Sequence, residues 1–276
     1  MTIRDALRSG EKRLDQAAVE SARLDAELLL SHALGVSRTD LRVDSARELM
    51  SEEARRYGAL LERRAHREPL AYVLGEWGFR RLTLVVDARV LVPRPETEAV
   101  VERCLALVAE IAEPRVLDVG TGSGAIALAI ADEHPGAVVT GIDASLDALA
   151  VARENVSRTC LDVELVRWDL FGGLPEGPWD LVVSNPPYVR PDEIEGLAPE
   201  VRDWEPRAAL VGEGTTEAVV AGAAAVLRPG GAVVLETAAA DARRIAGLLE
   251  RGGYRDVRIT SDLAGRDRVV EGITGA

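Results

Sequence analysis

The sequence has few of the residues that build covalent or metal-based frameworks. Its 276 residues include two cysteines and three histidines. Cys104 and Cys160 stand alone, and His32, His66 and His134 are scattered along the chain. Neither residue type shows the paired spacing of a metal site or of a disulfide framework. The sequence therefore excludes a structural zinc site and a disulfide scaffold.

Long apolar runs are also missing. No stretch approaches the roughly 18 to 20 consecutive apolar residues that a membrane-spanning helix needs, and residues 1–15 lack the apolar core of a signal peptide. We therefore expect a cytoplasmic protein with no membrane partner. The overall composition, 47% hydrophobic and 29% charged residues, is that of a globular protein with one or two domains.

Positive charge is scarce over most of the chain. The protein has 33 basic and 46 acidic residues, a formal net charge of −13. Residues 1–75 contain 13 of each sign, whereas residues 76–276 contain 20 basic and 33 acidic residues. Binding to a phosphate backbone requires clustered Lys and Arg. We therefore expect no direct nucleic-acid partner.

The first part of the chain, residues 1–75, is predicted to be a small helical bundle because its apolar residues recur at helical spacing. Gly35 predicts a helix end, and Ser37 or Thr39 is expected to cap a short helix. A further helix is expected from Ser51. Several arginines here either face a partner or, more commonly for such a run, form a solvated face balanced by nearby Glu. These arginines are Arg55, Arg56, Arg63, Arg64 and Arg67.

Residues 76–98 are predicted to form a β-hairpin linker, with turn signals between Gly75 and Gly78 and at Asp87. Strands and helices then alternate through residues 99–276. This alternation predicts an α/β fold with a seven-stranded, mostly parallel sheet, helices on both faces and a late strand pair.

A glycine-rich loop follows the first strand of the sheet. It comprises Gly120, Thr121, Gly122, Ser123 and Gly124. Glycines are needed where the backbone turns sharply and approaches a ligand, and the helix that follows offers free N–H groups. The next strand ends at Asp143, whose carboxylate can accept hydrogen bonds from the two hydroxyls of a ribose. We expect a nucleoside-bearing cofactor, although a glycine turn used only for packing is the alternative.

The loop alone does not identify the cofactor. Gly120, Gly122 and Ala125 also satisfy the G-x-G-x-x-A form of a dinucleotide fingerprint. Asp118, two positions before the first glycine, favours S-adenosylmethionine over NAD, because the loop resembles motif I of Rossmann-like methyltransferases. In that motif the carboxylate helps to hold the methionine end of the cofactor.

Asp169 follows the third strand, where folds of this kind meet the adenine. Its predicted role is a hydrogen bond to the exocyclic amine, with Leu170 or Phe171 packing on the ring. The alternative is an acidic loop residue with no ligand.

The fourth strand ends at Asn185-Pro186-Pro187-Tyr188. Two prolines fix φ and remove two N–H donors, which makes this a rigid loop at the edge where α/β proteins bind ligands. A conjugated NH2 group is a poor nucleophile. The Asn185 side-chain oxygen and the Pro186 carbonyl oxygen can each accept one of its hydrogens, and Tyr188 can pack on the flat face of the substrate. Asn185 is also expected to contact the cofactor. No general base is assigned.

With these motifs the chain closely resembles the bacterial release factor glutamine methyltransferases. The resemblance covers nearly the whole length and includes residues 23–30 and 34–39, the linker residues 91–98, the loops described above, and residues 205–210 and 265–270. It implies a Rossmann-like methyltransferase domain preceded by a helical substrate-recognition domain. It also implies a linker over the active site, which places Arg94 with the substrate-binding residues Asn185, Pro186, Pro187 and Tyr188.

The resemblance implies methylation of the glutamine side-chain amide in the Gly-Gly-Gln loop of peptide chain release factors, with conversion of S-adenosylmethionine to S-adenosylhomocysteine. A monomer suits an enzyme that must embrace a protein loop. Three positions depart from the family pattern. Gly212-Glu213-Gly214 stands where the family commonly has a Gly-Gly pair. Glu236-Thr237-Ala238 stands where the family often has Glu-Ile-Gly, and Leu170 stands where an aromatic residue often meets the adenine.

Other functions stay open at this point. A sister family that methylates a ribosomal-protein glutamine shares the Asn-Pro-Pro-Tyr loop. A DNA amino-methyltransferase holds a similar NH2 group, but it usually carries a basic region for its target. A binding module without turnover and an NAD-dependent dehydrogenase are further alternatives, and the second lacks an acid for hydride transfer.

Overall fold

The computed structural model describes residues 1–275. The chain folds into two compact units. The first, which we call the helical unit, contains residues 1–75 together with residues 198–204. The second, the sheet unit, contains residues 76–197 and the chain from residue 205 onward.

The helical unit begins with five helices. They are α1 (Ile3–Gln16), α2 (Ala22–Leu34), α3 (Arg38–Val43), α4 (Ser51–Ala65) and α5 (Leu70–Leu74). Gly35 ends α2 at a φ of 67°, and the Ser37 side chain accepts a hydrogen bond from the Asp40 N–H at the start of α3. Both signals predicted from the sequence are thus confirmed, with Ser37 rather than Thr39 as the cap. The core consists of fully buried residues, among them Ile3, Leu14, Leu29, Leu30 and Leu41.

The predicted hairpin consists of β1 (Glu76–Phe79) and β2 (Leu82–Val85). Its turn lies at Arg80 and Arg81, where Arg80 adopts a φ of 49°. The turns predicted at Gly75 and Asp87 are confirmed, since Gly75 ends α5 at a φ of 77° and the Val90 N–H donates to the Asp87 carbonyl. Gly78 lies in no turn, because it pairs with Thr83 within the hairpin. Two buried hairpin residues, Phe79 and Leu84, join the apolar core of the sheet unit.

The sheet has seven strands. They are β3 (Arg115–Val119), β4 (Val138–Asp143), β5 (Val163–Arg167), β6 (Trp179–Ser184), β7 (Leu227–Glu236), β8 (Arg255–Ser261) and β9 (Asp267–Ile273). Their order is β5-β4-β3-β6-β7-β9-β8. All neighbours are parallel except β9, which is antiparallel to both β7 and β8. The predicted seven-stranded, mostly parallel sheet is confirmed.

Helices complete the two units. In the sheet unit they are α6 (Thr97–Val108), α7 (Ala125–Glu133), α8 (Leu146–Thr159), α10 (Arg207–Leu210), α11 (Thr215–Val226) and α12 (Ala242–Arg251), whereas α9 (Pro199–Arg202) belongs to the helical unit. Neighbouring residues of β3 enter different apolar clusters. Val116 packs in the cluster with α6 and α7, and Leu117 packs in the cluster with α11 and α12. Both faces of the sheet are therefore covered, as strands in parallel sheets require.

Strand register brings the predicted motifs to one edge of the sheet. Val119 lies opposite both Ile142 and Ser184, and Ser184 in turn lies opposite Leu235. The residues immediately after these positions are therefore level with one another at the carboxyl edge, where doubly wound sheets bind ligands. They are Gly120, Asp143, Asn185 and Glu236. Among the helices of residues 1–275, none has the length and apolarity needed to cross a bilayer.

Candidate active site

The glycine loop turns back on itself between β3 and α7. Gly120, Gly122 and Gly124 have φ values of 73°, 57° and 83°, in the left-handed region that other residues rarely adopt. The Gly120 and Thr121 N–H groups both donate to the Ile142 carbonyl, at 2.8 and 2.9 Å. The backbone thus lies against the end of β4 without side chains in between.

Asp118 lies beneath this loop and is almost completely buried. Its Oδ2 accepts hydrogen bonds from Thr121 Oγ1 at 2.6 Å and from the Ala127 N–H at 3.2 Å. Within residues 1–275 its Oδ1 has no hydrogen-bond partner. Burial raises the pKa of Asp118 to about 7, and the hydrogen bond from Thr121 opposes the rise. Asp118 therefore braces the loop from below and does not line the cavity described next.

A cavity of about 460 Å³ opens at the carboxyl edge of the sheet. Its walls include six of the residues predicted from the sequence for the cofactor site, namely Gly120, Thr121, Gly122, Ser123, Asp143 and Asn185. The lining also includes Pro187 and Arg94. The size is that of a small-molecule site. The structure thus brings together the glycine loop, the predicted ribose acid and the predicted substrate loop around one space.

Asp143 joins two backbone segments at the edge of this cavity. Its Oδ2 accepts a hydrogen bond from the Gly122 N–H and its Oδ1 accepts one from the Ser145 N–H, both at 2.9 Å. Each carboxylate oxygen has a second lone pair. The carboxylate can therefore hold the glycine loop and still accept hydrogen bonds from a ligand's hydroxyls.

The Asn185 loop is anchored at its start, whereas the two oxygens predicted to bind the substrate have no hydrogen-bond partner among the described residues. Ser184 Oγ donates to the Val119 carbonyl at 2.7 Å, which joins the ends of β6 and β3. In the part of the chain that the structure describes, neither the Asn185 side chain nor the Pro186 carbonyl forms a hydrogen bond. Pro187 packs so closely on Gly212 that a Cβ there would lie 2.4 Å from the proline ring. The loop is rigid and keeps two acceptors available.

Tyr188 lies outside this cavity and lines a neighbouring one of about 400 Å³. Its hydroxyl donates to Glu236 Oε1 over 3.5 Å, a long contact. Burial, together with the charge of Glu236, raises the pKa of Tyr188 to about 12. The tyrosine thus faces the end of β7, and the structure does not bring it to the cavity that Asn185 lines.

Asp169 and Leu170 do not line this cavity either. The Asp169 Oδ1 accepts a hydrogen bond from the Phe171 N–H at 3.0 Å and caps a single turn of 3-10 helix, Leu170–Gly172. Leu170 packs against the apolar cluster of α11 and α12, whereas Phe171 is exposed. The predicted adenine residues therefore serve a local turn in this structure.

Two buried glutamates hold the linker before α6. Neither was predicted from the sequence to have a function. Glu205 Oε1 and Oε2 both accept hydrogen bonds from Arg94 Nη2 at 2.7 Å, and Glu236 Oε2 accepts one from Thr97 Oγ1 at 2.6 Å. Burial raises the pKa of both carboxyl groups, against the opposing effects of Arg94 and Thr97. Glu236 could have been found as an acid ending a strand beside Asn185, whereas the resemblance of residues 205–210 to the family gave no role for Glu205.

The sheet order, the glycine loop and the Asn-Pro-Pro-Tyr loop define a Rossmann-like methyltransferase domain. The family model described as "Methyltransferase small domain" matches residues 101–200, and the "PrmC N-terminal domain" model matches residues 5–75. A 16S rRNA methyltransferase from T. thermophilus, solved with AdoMet and guanosine, has a similar fold. It has a TM-score of 0.53 and 20% sequence identity, and the similarity covers 72% of this chain and 49% of that one.

Curated relatives identify the family. Proteins named release factor glutamine methyltransferase are 40% identical in Caulobacter vibrioides, 42% in Deinococcus radiodurans and 43% in Cereibacter sphaeroides. The matches cover 99%, 98% and 98% of this chain and 96%, 98% and 98% of those proteins. The chain belongs to the release factor glutamine methyltransferase family, and it is an enzyme of the methyltransferase class.

Proposed function

We propose that this protein methylates the side-chain amide nitrogen of the glutamine in the Gly-Gly-Gln loop of peptide chain release factors, using S-adenosylmethionine. The observation that carries the proposal is the position of Asn185. It lines the same cavity as the glycine loop and Asp143, and in the described part of the chain its amide has no hydrogen-bond partner. The names of the relatives support this choice of substrate.

The donor set fits a nucleoside-bearing cofactor. Gly120 and Gly122 allow the backbone to approach a ligand closely, and Asp143 retains acceptor capacity for ribose hydroxyls. Thr121, Ser123 and Gly124 complete this loop, and Asp118 supports it from below. Neither Asp169 nor Leu170 lines the cavity, so the structure does not support their predicted contacts with the adenine, which stay a prediction.

The chemistry depends on the Asn185 loop. A glutamine amide nitrogen is a poor nucleophile because its lone pair is delocalised into the carbonyl. When the Asn185 side-chain oxygen and the Pro186 carbonyl oxygen each accept one N–H, they orient the group and place negative potential around the nitrogen. Bound S-adenosylmethionine supplies an electrophilic methyl group on a sulfonium. Alignment of the amide nitrogen with this methyl group then provides most of the rate enhancement.

The proton balance requires no dedicated base. One N–H of the amide is replaced by N–CH3, and the methylated nitrogen is acidic enough to release its extra proton to water. Pro186 and Pro187 keep the loop rigid during this step, since both lack an N–H and have a fixed φ. The predicted packing of Tyr188 on the substrate stays a proposal, because its side chain faces Glu236.

The two units have separate roles in this proposal. The helical unit recognises the release factor, and the sheet unit carries out the transfer. We further propose that the protein acts as a cytoplasmic monomer with no direct nucleic-acid partner. The excess of acidic residues in residues 76–276, 33 against 20 basic ones, supports the absence of a nucleic-acid partner.

Methyl transfer with purified components tests the proposal. The protein is incubated with methyl-labelled S-adenosylmethionine and a release factor, with the same factor lacking the loop glutamine, or with total ribosomal protein. We expect label only in the wild-type factor. Equal label in the factor without its glutamine, or label confined to a ribosomal protein, would contradict the proposed substrate.

A further inference from the structure

The two basic residues of the cavity lining differ in how their hydrogen-bond donors are used. Arg89 donates from Nε, Nη1 and Nη2, and all of these bonds go to the carboxylates of Asp87 and Glu154. Arg94 donates only from Nη2, to Glu205. Within residues 1–275, Nε and Nη1 of Arg94 form no hydrogen bond. Arg94 therefore has three free N–H groups beside the cavity.

Glu205 holds Arg94 firmly. The Glu205 side chain is 1% exposed, and both of its oxygens contact the same guanidinium nitrogen at 2.7 Å. The Val92 backbone N–H also opposes the rise in the pKa of this carboxyl group. An arginine side chain normally loses much rotamer freedom when it binds a ligand. Here the contact with Glu205 already restricts the rotamers of Arg94 before a ligand binds. The guanidinium therefore keeps its position whether or not a ligand is present.

The negative and positive side chains of the cavity lining suit different ends of the expected cofactor. Asp143 is the one carboxylate in the cavity lining, and it repels another carboxylate near the glycine loop. A carboxylate taken out of water needs a cation or several N–H donors. Among the described residues that line the cavity, Arg94 is the cation with two guanidinium nitrogens that form no hydrogen bond, whereas every guanidinium nitrogen of Arg89 already bonds a carboxylate.

We propose that Arg94 binds the α-carboxylate of the methionine part of S-adenosylmethionine, and that Glu205 is the positioning residue that holds Arg94 for this contact. The inference rests on the proposed function, since that function supplies the cofactor. It also replaces the substrate contact predicted for Arg94 from the sequence. A guanidinium on the glutamine amide oxygen would withdraw electron density from the nitrogen that has to react.

Two ligands that differ at the methionine end test the inference without measuring activity. S-adenosylhomocysteine has the carboxylate, and 5′-methylthioadenosine has the same adenosine and sulfur without the amino acid part. Titration calorimetry gives the Kd of both for the wild type and for Arg94→Gln, Arg94→Lys, Glu205→Gln and Arg89→Gln. Arg89→Gln is the matched control, because Arg89 lines the cavity but each of its guanidinium nitrogens already bonds a carboxylate.

We expect Arg94→Gln to raise the Kd of S-adenosylhomocysteine roughly 10- to 100-fold, the range for a charged hydrogen bond. The Kd of 5′-methylthioadenosine should stay within about twofold, which also verifies that the variant is folded. Arg94→Lys should bind S-adenosylhomocysteine more tightly than Arg94→Gln does. Glu205→Gln should weaken the binding of S-adenosylhomocysteine by a smaller factor and leave that of 5′-methylthioadenosine unchanged. Arg89→Gln should not change the ratio of the two Kd values.

Four results would contradict these assignments. An equal loss for both ligands in Arg94→Gln, or an unchanged Kd for S-adenosylhomocysteine, would overturn the carboxylate contact while the proposed function stands. An unchanged Kd for S-adenosylhomocysteine in Glu205→Gln would overturn the positioning role of Glu205. If the wild type bound neither ligand, the proposed function would fail, and this inference would fail with it.

Discussion

Arg94 and Glu205 are 111 residues apart in the sequence, yet Nη2 of the arginine contacts both carboxylate oxygens of the glutamate at 2.7 Å. The contact joins the linker before α6 to the segment that leads into α10. Residues of both segments line the cavity. A second long-range contact, from Thr97 to Glu236, ties the end of the same linker to β7. Two buried glutamates thus hold one wall of the cavity in place.

Replacement of Asn185 should affect turnover more than cofactor binding. Asn185→Ala removes one of the two acceptors proposed to orient the amide, and we expect kcat to fall about 100-fold or more. The Kd of S-adenosylhomocysteine should change little. Asn185→Asp, which keeps an oxygen acceptor, should retain more activity than Asn185→Ala. Steady-state kinetics with a release factor measure both, and full activity of Asn185→Ala would refute the proposed role.

Asp143 should act on the ribose end of the cofactor. Asp143→Ala removes a charged acceptor and also the bond from the Gly122 N–H that holds the glycine loop. We expect S-adenosylhomocysteine and 5′-methylthioadenosine to weaken together, roughly 10- to 100-fold, since both contain the ribose. This pattern differs from the one expected for Arg94. Calorimetry of the two ligands checks it, and a loss limited to S-adenosylhomocysteine would show that Asp143 does not hold the ribose.

The buried carboxyl of Asp118 should leave a pH signature in stability. Burial raises its pKa to about 7, whereas in the unfolded chain it titrates near 3.8. The folded protein therefore keeps this proton more tightly than the unfolded one, and the free energy of unfolding contributed by this group is lost as pH rises from about 4 to 7. Asp118→Asn cannot lose a proton here.

Denaturation of wild type and Asp118→Asn at several pH values isolates this contribution. The stability of the variant relative to wild type should increase between pH 4 and 7 and then level off. The other carboxylates titrate in both proteins and cancel in the difference. A difference that does not depend on pH across this range would show that Asp118 has an ordinary pKa in the folded protein.

The helical unit depends on a buried arginine. Arg64 Nε lies 2.7 Å from Asp25 Oδ2, and Arg64 Nη1 lies 2.9 Å from Glu200 Oε1. Arg64 and Asp25 are 5% and 2% exposed. Arg64→Ala leaves a buried carboxylate without its cation, and we expect a loss of about 3–5 kcal/mol in the free energy of unfolding.

The matched control for Arg64→Ala is Arg55→Ala, which removes an exposed arginine from the same helix. Arg55 pairs with Glu52, and both side chains are more than half exposed. Solvent screens such pairs, so the change in stability should be small. Urea denaturation of both variants tests the contrast, and similar losses would show that burial of the Arg64 cluster does not matter.

Much of the sheet unit could be predicted from sequence, because its signals are local. Glycines in left-handed conformations, apolar strand runs and polar residues at strand ends are all visible within a few residues of one another. The seven strands and the meeting of Gly120, Asp143 and Asn185 follow from these signals, given that parallel strands end at one edge.

Contacts between distant segments could not be predicted in this way. The arginines of α4 look alike in sequence, yet Arg64 is buried on Asp25 and Arg55 is exposed. Residues 198–204 join the helical unit through Glu200, which pairs with Arg64 and Arg67. The hairpin turn falls on Arg80 rather than on a glycine, because pairing of β1 with β2 and burial of Phe79 determine the register.

The measurement that tests the central claim most directly is the fragmentation spectrum of the Gly-Gly-Gln peptide from release factors of cells with and without this gene. We predict one methyl group on the glutamine side-chain amide when the gene is present, its absence when the gene is deleted, and its return with the wild-type gene but not with Asn185→Ala. An unmethylated glutamine in cells that have the gene, or a methylated one in cells that lack it, would contradict the account.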